Sequence, residues 1–255
     1  MRHSRGRITI AACMLGLALA VVPAMAADAP APGPMVSTWV LWPKAGEGAA
    51  FEAGIKAHGA WRKSAGEGWH WEVYQPVVGK DLEPYVIRAE GLRWADLDKE
   101  EAWEQSSGAL AKYMEQLGAH VARAEHYIGM NDFEHSKWTD NGAYKYFGVT
   151  AMVPRPGMHG DIMAGLDKVH KVLTDKKWSQ SYGIEWQIGG DEAMYLVTPY
   201  VDYASMADPD PSFMKVMADA LGMTEAAATM KQLGGSFAST DYTIYLHRPD
   251  LSTPK

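Results

Sequence analysis

The chain has one cysteine in 255 residues, and it falls near the start, at Cys13. A disulfide framework within the chain is excluded, and so is a cysteine-rich zinc or iron–sulfur site. No G-x-S-x-G, Walker or dinucleotide glycine pattern occurs, so the common nucleophile-elbow and phosphate-cradle chemistries have no support. Basic residues are scarce: 24 Lys and Arg against 31 Asp and Glu give a formal charge of −7, with no basic run to meet phosphates. A nucleic-acid partner is therefore not expected. Ordinary amounts of apolar (47%) and charged (22%) residues describe a globular chain rather than a collagen-like, coiled-coil or disordered one.

The first 26 residues combine a basic start (Arg2, Arg5, Arg7), an apolar stretch from Ile8 to Val22, then Pro23 and Ala24-Met25-Ala26. This order predicts a secretory signal peptide cut after Ala26 and a periplasmic or secreted mature protein. The apolar stretch falls short of the about 20 residues of a membrane helix, and no later one is longer, so no membrane span is expected after cleavage. Ile10-Ala11-Ala12-Cys13 loosely matches a lipoprotein box, but cutting there would leave the run Met14 to Val22 exposed on the mature N-terminus. Cleavage after Ala26 removes three Arg, no acid and the only Cys, which deepens the charge from −7 to −10. A cysteine-free mature chain suits an oxidising compartment. Residues 27–35 are rich in Pro and Ala and read as a tether.

The remainder repeats itself. MEQLGAHVARAEHYI at 114–128 aligns without a gap with MKQLGGSFASTDYTI at 230–244. In the same order, Val40-Leu41-Trp42-Pro43 matches Ala151-Met152-Val153-Pro154, Trp71 to Gln75 matches Ile184 to Ile188, and Tyr85-Val86-Ile87 matches Tyr195-Leu196-Val197. Within each half the periodicities read strand, helix, strand, strand, helix, strand. Residues 36–135 form the first repeat, 136–143 a linker containing the turn dipeptide Asn141-Gly142, and 144–250 the second repeat. The fold class is α+β: two tandem ferredoxin-like βαββαβ repeats whose antiparallel sheets pack open face to open face into one barrel within the chain. Closure within one chain predicts a monomer.

With this element order, the duplication and the strands Trp71 to Pro76 and Tyr85 to Ala95, residues 36–248 resemble the dimeric α+β-barrel superfamily. That superfamily includes antibiotic-biosynthesis-monooxygenase-like and stress-response barrel domains. The resemblance implies a small apolar ligand, or haem, between sheet and helices or inside the barrel. It also implies an alternative to simple binding, a cofactor-independent monooxygenase or isomerase.

Strand alternation supplies the candidates. If Trp71, Val73, Ile184 and Trp186 face the helices, then His70, Glu72, Tyr74, Glu185 and Gln187 face the barrel interior. Arg88, Glu90, Thr198 and Tyr200 are expected on the same surface. Glu72 and Glu185 occupy equivalent repeat positions, and two carboxylates brought together would separate in pKa into an acid and a base; the structural alternative is that each pairs with Arg88 or a tyrosine. His70 adds a group that titrates near neutral pH. The catalytic candidates are thus His70, Glu72 and Glu185. The ligand-binding candidates are Tyr74, Arg88 and Gln187, with Trp39 and Met152 placed on the inward face of the two first strands. His58 and His170, on equivalent helices, could approach a haem or a metal, but no metal-ligand spacing is present and no metal is predicted. No cofactor is predicted either, haem being the one the resemblance would allow. The function expected is an exported α+β-barrel protein that binds a small, partly apolar molecule, with a filled, inert structural barrel as the remaining alternative.

Overall fold

The computed structural model describes residues 32–139 and 144–253. The expected signal peptide and most of the tether, and part of the expected linker, lie outside the described residues. The first half runs β1 (Met35–Pro43), α1 (Gly48–Ser64), β2 (Glu72–Val78), β3 (Tyr85–Leu92), α2 (Trp94–Ser107), α3 (Ala109–Gln116) and β4 (Val121–Lys137). The second half repeats the order with β5 (Tyr146–Pro154), α4 (His159–Asp175), β6 (Tyr182–Ile188), β7 (Met194–Tyr200), α5 (Phe213–Leu221), α6 (Met223–Gly235) and β8 (Phe237–His247). No helix among the described residues is long and apolar enough to cross a membrane.

The strands form one closed barrel in the order β1-β3-β2-β8-β5-β7-β6-β4. Each half supplies the ferredoxin-like order of last, first, third and second strand. The halves join edge to edge as well as enclosing a common interior: β2 pairs antiparallel with β8 (Tyr74 opposite His247) and β4 with β6 (Met130 opposite Trp186). Each of these joins satisfies a row of backbone groups that a ferredoxin-like sheet would leave unpaired at its edge. They also explain why β4 runs on to Lys137: its later residues pair with β6.

Helices cover the outer face of the barrel. Phe51 and Ile55 of α1 pack with Leu41, Val73, Tyr85 and Leu117 in the first half. In the second, Ile162 and Leu166 of α4 pack with Ile184, Met194 and Phe237. The second helical region of each half is split by a glycine with a left-handed φ, Gly108 at 72° and Gly222 at 81°. Both end one helix where a side chain would be strained, and the next helix starts within one residue. After β8, residues 248–253 continue alongside β2. Arg248 N–H donates to Val73 O at 2.7 Å and Thr253 N–H to Trp71 O at 2.9 Å, while Leu251 is buried in the first-half core.

Candidate functional site

The strand parity separates two cavities, one on each face of the sheet. The first, about 500 Å³, lies between the first-half sheet and its helices. On β1, Ser37, Trp39 and Leu41 face it, whereas Thr38 and Val40 face the barrel interior. This corrects the expected inward placement of Trp39. The run Trp39-Val40-Leu41-Trp42 is apolar on both faces, so alternation alone could not choose a side; Leu41 joins the helix-facing core and takes Trp39 with it. Met152, the repeat equivalent of Leu41, likewise packs against the Ile162 cluster under α4 and not inside the barrel.

The wall of this first cavity is aromatic. Trp39 stacks on His126 of β4, with ring centroids 4.3 Å apart and planes inclined by 13°. His126 Nε2 lies 2.9 Å from Ser37 Oγ. Opposite, His58 of α1 donates from Nδ1 to Gln116 Oε1 at 3.3 Å, and among the described residues its Nε2 has no partner. Burial holds both imidazoles below the usual histidine range, with the Arg62 charge adding to the effect at His58, so both are neutral at pH 7.

The mouth is acidic. Arg62 is shared by Glu67 at 2.6 Å, Glu100, and Glu104 at 3.4 Å, and its guanidinium lies 4.8 Å from the Trp103 ring centre. One cation cannot neutralise three carboxylates: burial first, then the Glu67 charge, push Glu100 up to about 8. A haem would find in His58 an imidazole oriented through its other nitrogen, as axial histidines are. Its carboxylates would meet the charges of Glu101 and Glu104 at the mouth, with Arg62 already engaged. The donor fits a haem iron, and the charge at the mouth suits a ligand without an anionic edge.

The corresponding helix of the second half carries apolar side chains at the same positions. Helices α1 and α4 are both 17 residues long, which aligns His58 with Val169 and Arg62 with Leu173. Leu173 is buried with Val172, Trp178, Tyr182 and Met217, and Val169 packs against them. Ser37 and His126 correspond to Gly148 and Tyr242, and the Tyr242 hydroxyl lies over Gly148, 2.3 Å from where a Cβ would stand. Where the first half places His58 and Arg62 at a cavity, the second half places Val169 and Leu173 in an apolar cluster.

The second cavity, about 650 Å³, is the barrel interior. It brings together His70, Glu72, Tyr74, Arg88, Glu185 and Gln187. Glu72 and Glu185 do not act on one another as a carboxylate pair; each has its own partners. Arg88 reaches across the interior from β3 to β6, its Nη2 donating to Glu185 at 2.6 Å and to Glu90 at 3.1 Å. Glu72 accepts from His70 Nε2 at 2.7 Å and His247 Nε2 at 2.6 Å. Burial opposes its ionisation, but these two bonds outweigh it and hold the carboxyl down at about 2. A group held ionised this firmly does not exchange a proton near neutral pH. Thr253 Oγ1 accepts from Trp71 N–H at 2.9 Å and contacts His70 Nδ1 at 3.0 Å, which fixes the ring.

Thr198 and Tyr200, expected on this inner surface, lie on the other; Tyr195 and Val197 line the interior instead. The β6–β7 turn is shorter than the β2–β3 connection, so counting from one repeat to the other slips by one residue. Tyr195 donates to Gln187 Oε1 at 2.7 Å. Glu185 has room because its partner strand carries Gly129: a Cβ there would lie 2.1 Å from Glu185 Oε1. No local pattern singles out His247, which arrives from the second half to cap a first-half carboxylate. His58 and His126 were visible as residues, but not as neighbours of one space. His170 contacts Tyr182 at 2.9 Å and lies beside His135, which Asp132 and Asp167 bracket. Among the described residues no group of three His, Cys, Asp or Glu is arranged to hold a metal ion.

No protein-family model and no curated protein sequence matches this chain. Solved structures do. A mutant chlorite dismutase from Candidatus Nitrospira defluvii superposes with a TM-score of 0.52 at 8% identity, over 85% of this chain and 92% of that one. An anthrone oxidase-like protein gives 0.50 at 12% identity over 84% and 91%. A candidate monooxygenase from Lactobacillus acidophilus NCFM gives 0.50 at 10% identity over 84% and 94%. At these identities the likeness is one of fold, and the chain has the α+β-barrel fold of these proteins.

Proposed function

We propose that this chain is an exported binding protein whose first-half cavity takes a small, planar, uncharged and largely apolar molecule. The observation that carries this reading is the asymmetry of the repeat: one sheet–helix layer is packed with Val169, Leu173 and Met217, while its duplicate is an open cavity bearing His58, Arg62 and the Trp39–His126 stack. A packed core is the stable solution for such a layer, and an apolar cavity forgoes dispersion contacts. A bound ring filling the space beside Trp39 would restore them. The volume is in the range of small-molecule sites. Two neutral imidazoles offer hydrogen bonds without demanding a charge on the ligand.

Naphthalene added to the mature protein should quench tryptophan fluorescence at one-to-one stoichiometry. Ala124→Trp, which places a large side chain on the cavity-lining face of β4, should abolish the effect. Saturable binding that survives Ala124→Trp would sink the assignment. Haem supplied to the protein is the discriminating ligand: a stoichiometric Soret band lost in His58→Ala would make this cavity a haem site instead. Export is supported by the basic, apolar and Ala-x-Ala order of the first 26 residues, and the mass of the exported protein should correspond to a start at Ala27. Barrel closure within one chain supports a monomer, which a scattering mass would test.

An enzymatic reading rests on His58. A neutral imidazole with an unpartnered Nε2 in an apolar cavity is suited to take a proton from a bound acidic C–H or O–H, as a cofactor-independent oxygenase or isomerase requires. His58→Gln would then abolish turnover of an identified substrate while leaving its binding within a few fold.

A further inference from the structure

The barrel interior lies on the opposite face of the sheet from the cavity just assigned, so a molecule in one cannot touch the other. We propose that it is a second ligand site, which takes an uncharged cyclic molecule by a carbonyl oxygen bound to Arg88 and Thr38.

Two unspent hydrogen-bonding groups stand side by side there. Arg88 donates from Nε and Nη2 to Glu90 and from Nη2 to Glu185, and among the described residues Nη1 has no partner. The guanidinium is held at one edge with its other arm free, an arrangement that costs little further ordering when a ligand binds. Thr38 is the residue opposite Arg88 on β1. It is 8% exposed, and its Oγ1 is a buried side-chain polar atom without a partner. The wall around it also carries Val40, Val86 and Val149. Valine at position 38 would be isosteric and free of the cost of an unsatisfied hydroxyl, so the hydroxyl is explained by a partner that arrives with a ligand.

The rest of the wall defines the ligand. Phe147 stands edge-on to Tyr74 at 5.3 Å and parallel to Trp138 at 6.4 Å, and Tyr195 and Tyr245 also line the space. These rings suit a cyclic body. Charge then selects the head group. The interior holds one arginine against the carboxylates of Glu72, Glu90 and Glu185. A ligand carboxylate would compete with Glu185 and Glu90 for a cation that is already shared, and be repelled by both. A neutral carbonyl accepts from Nη1 without that opposition.

The test uses the full mature chain with 1-tetralone, its carbonyl-free analogue tetralin, and 1-naphthoate as the anionic probe, followed by calorimetry. Tetralone should occupy a site that Val149→Trp fills, tetralin should bind that site at least about fivefold more weakly, and naphthoate should not bind there. Thr38→Val should raise the melting temperature of the free protein while weakening tetralone roughly fivefold, opposite movements that a purely structural residue does not produce. Arg88→Lys, which keeps the charge for Glu185 but loses the free arm, should weaken it by a similar factor. Should Val149→Trp not fold, Thr38→Val carries the test alone. Tetralone affinity unchanged by Thr38→Val, or naphthoate binding as tightly as tetralone, overturns the proposal. Ala124→Trp reports on the other cavity, so loss of either site is seen separately.

Discussion

Replacing Arg88 by Met should be among the costliest single changes in the barrel interior. The Arg88–Glu185 contact of 2.6 Å joins side chains that are 21% and 7% exposed. Removing the cation leaves a carboxylate with little access to water, beside the further negative charge of Glu90. Breaking a buried pair from one side costs about 3 to 5 kcal/mol. For a domain of this size each kcal/mol moves the melting temperature by about 2 to 4 °C, so Arg88→Met should lower it by roughly 6 to 20 °C at pH 7. Arg88→Met combined with Glu185→Gln should recover most of the loss, since the uncompensated carboxylate is gone. Chemical denaturation of the three proteins at pH 7 measures this. A cost under about 1 kcal/mol would mean that Glu185 is solvated, and the reasoning would fail.

Other perturbations follow from the same geometry. Glu72, held down at about 2 by His70 and His247, contributes stability that is present above the ordinary carboxylate range and lost as the pH falls through about 2; Glu72→Gln should cost roughly 2 to 3 kcal/mol at pH 7. A side-chain carboxyl NMR titration of Glu72 with a midpoint near 4 would contradict it. Glu100 has the opposite sign: its carboxyl, raised to about 8, favours folding at low pH and loses that contribution as the pH climbs through 8. Glu100→Gln should match wild type at pH 5 and exceed it by about 1 kcal/mol or more at pH 9, measured by urea midpoints; a variant weaker than wild type at pH 9 would reverse the assignment. Gly129→Ala should destabilise by about 1 to 3 kcal/mol, because the added methyl meets the Glu185 carboxylate. If it were neutral in thermal unfolding, the close approach of Glu185 to β4 would be wrong.

Much of the architecture was legible because the duplication was. The matching of 114–128 with 230–244, and of the strand segments in the same order, carries the element sequence of both halves. The interior placement of Glu72, Tyr74, Arg88 and Glu185 follows from simple alternation. Where both faces of a strand are apolar, as at Trp39 to Trp42, alternation has nothing to distinguish, and Trp39 faces the helices and not the interior. Where two turns differ in length, the repeat lost register by one residue and exchanged Tyr195 and Val197 for Thr198 and Tyr200. The alternation also offers Arg88 as a partner for Glu185, and the structure pairs them; Glu72 with His247 was beyond reach for another reason, because it depends on closure of the barrel, which no local pattern encodes. The asymmetry of the two helix layers was in the sequence all along. Aligning α1 with α4 sets His58 against Val169 and Arg62 against Leu173, a contrast that only becomes meaningful once those positions are known to face a cavity.

The segment that follows β8 adds a matter of timing. Leu251 and Thr253 belong to the wall of the first-half cavity, and Thr253 holds His70 in its bond with Glu72. A cavity formed chiefly by residues 37–126 thus lacks part of its wall until residue 253 has been made and laid beside β2. A ribosome delivering this chain from its N-terminus releases the whole second half before the first half is finished. The first-half cavity is then among the last parts to mature, and a chain broken off anywhere in the second half carries an incomplete one.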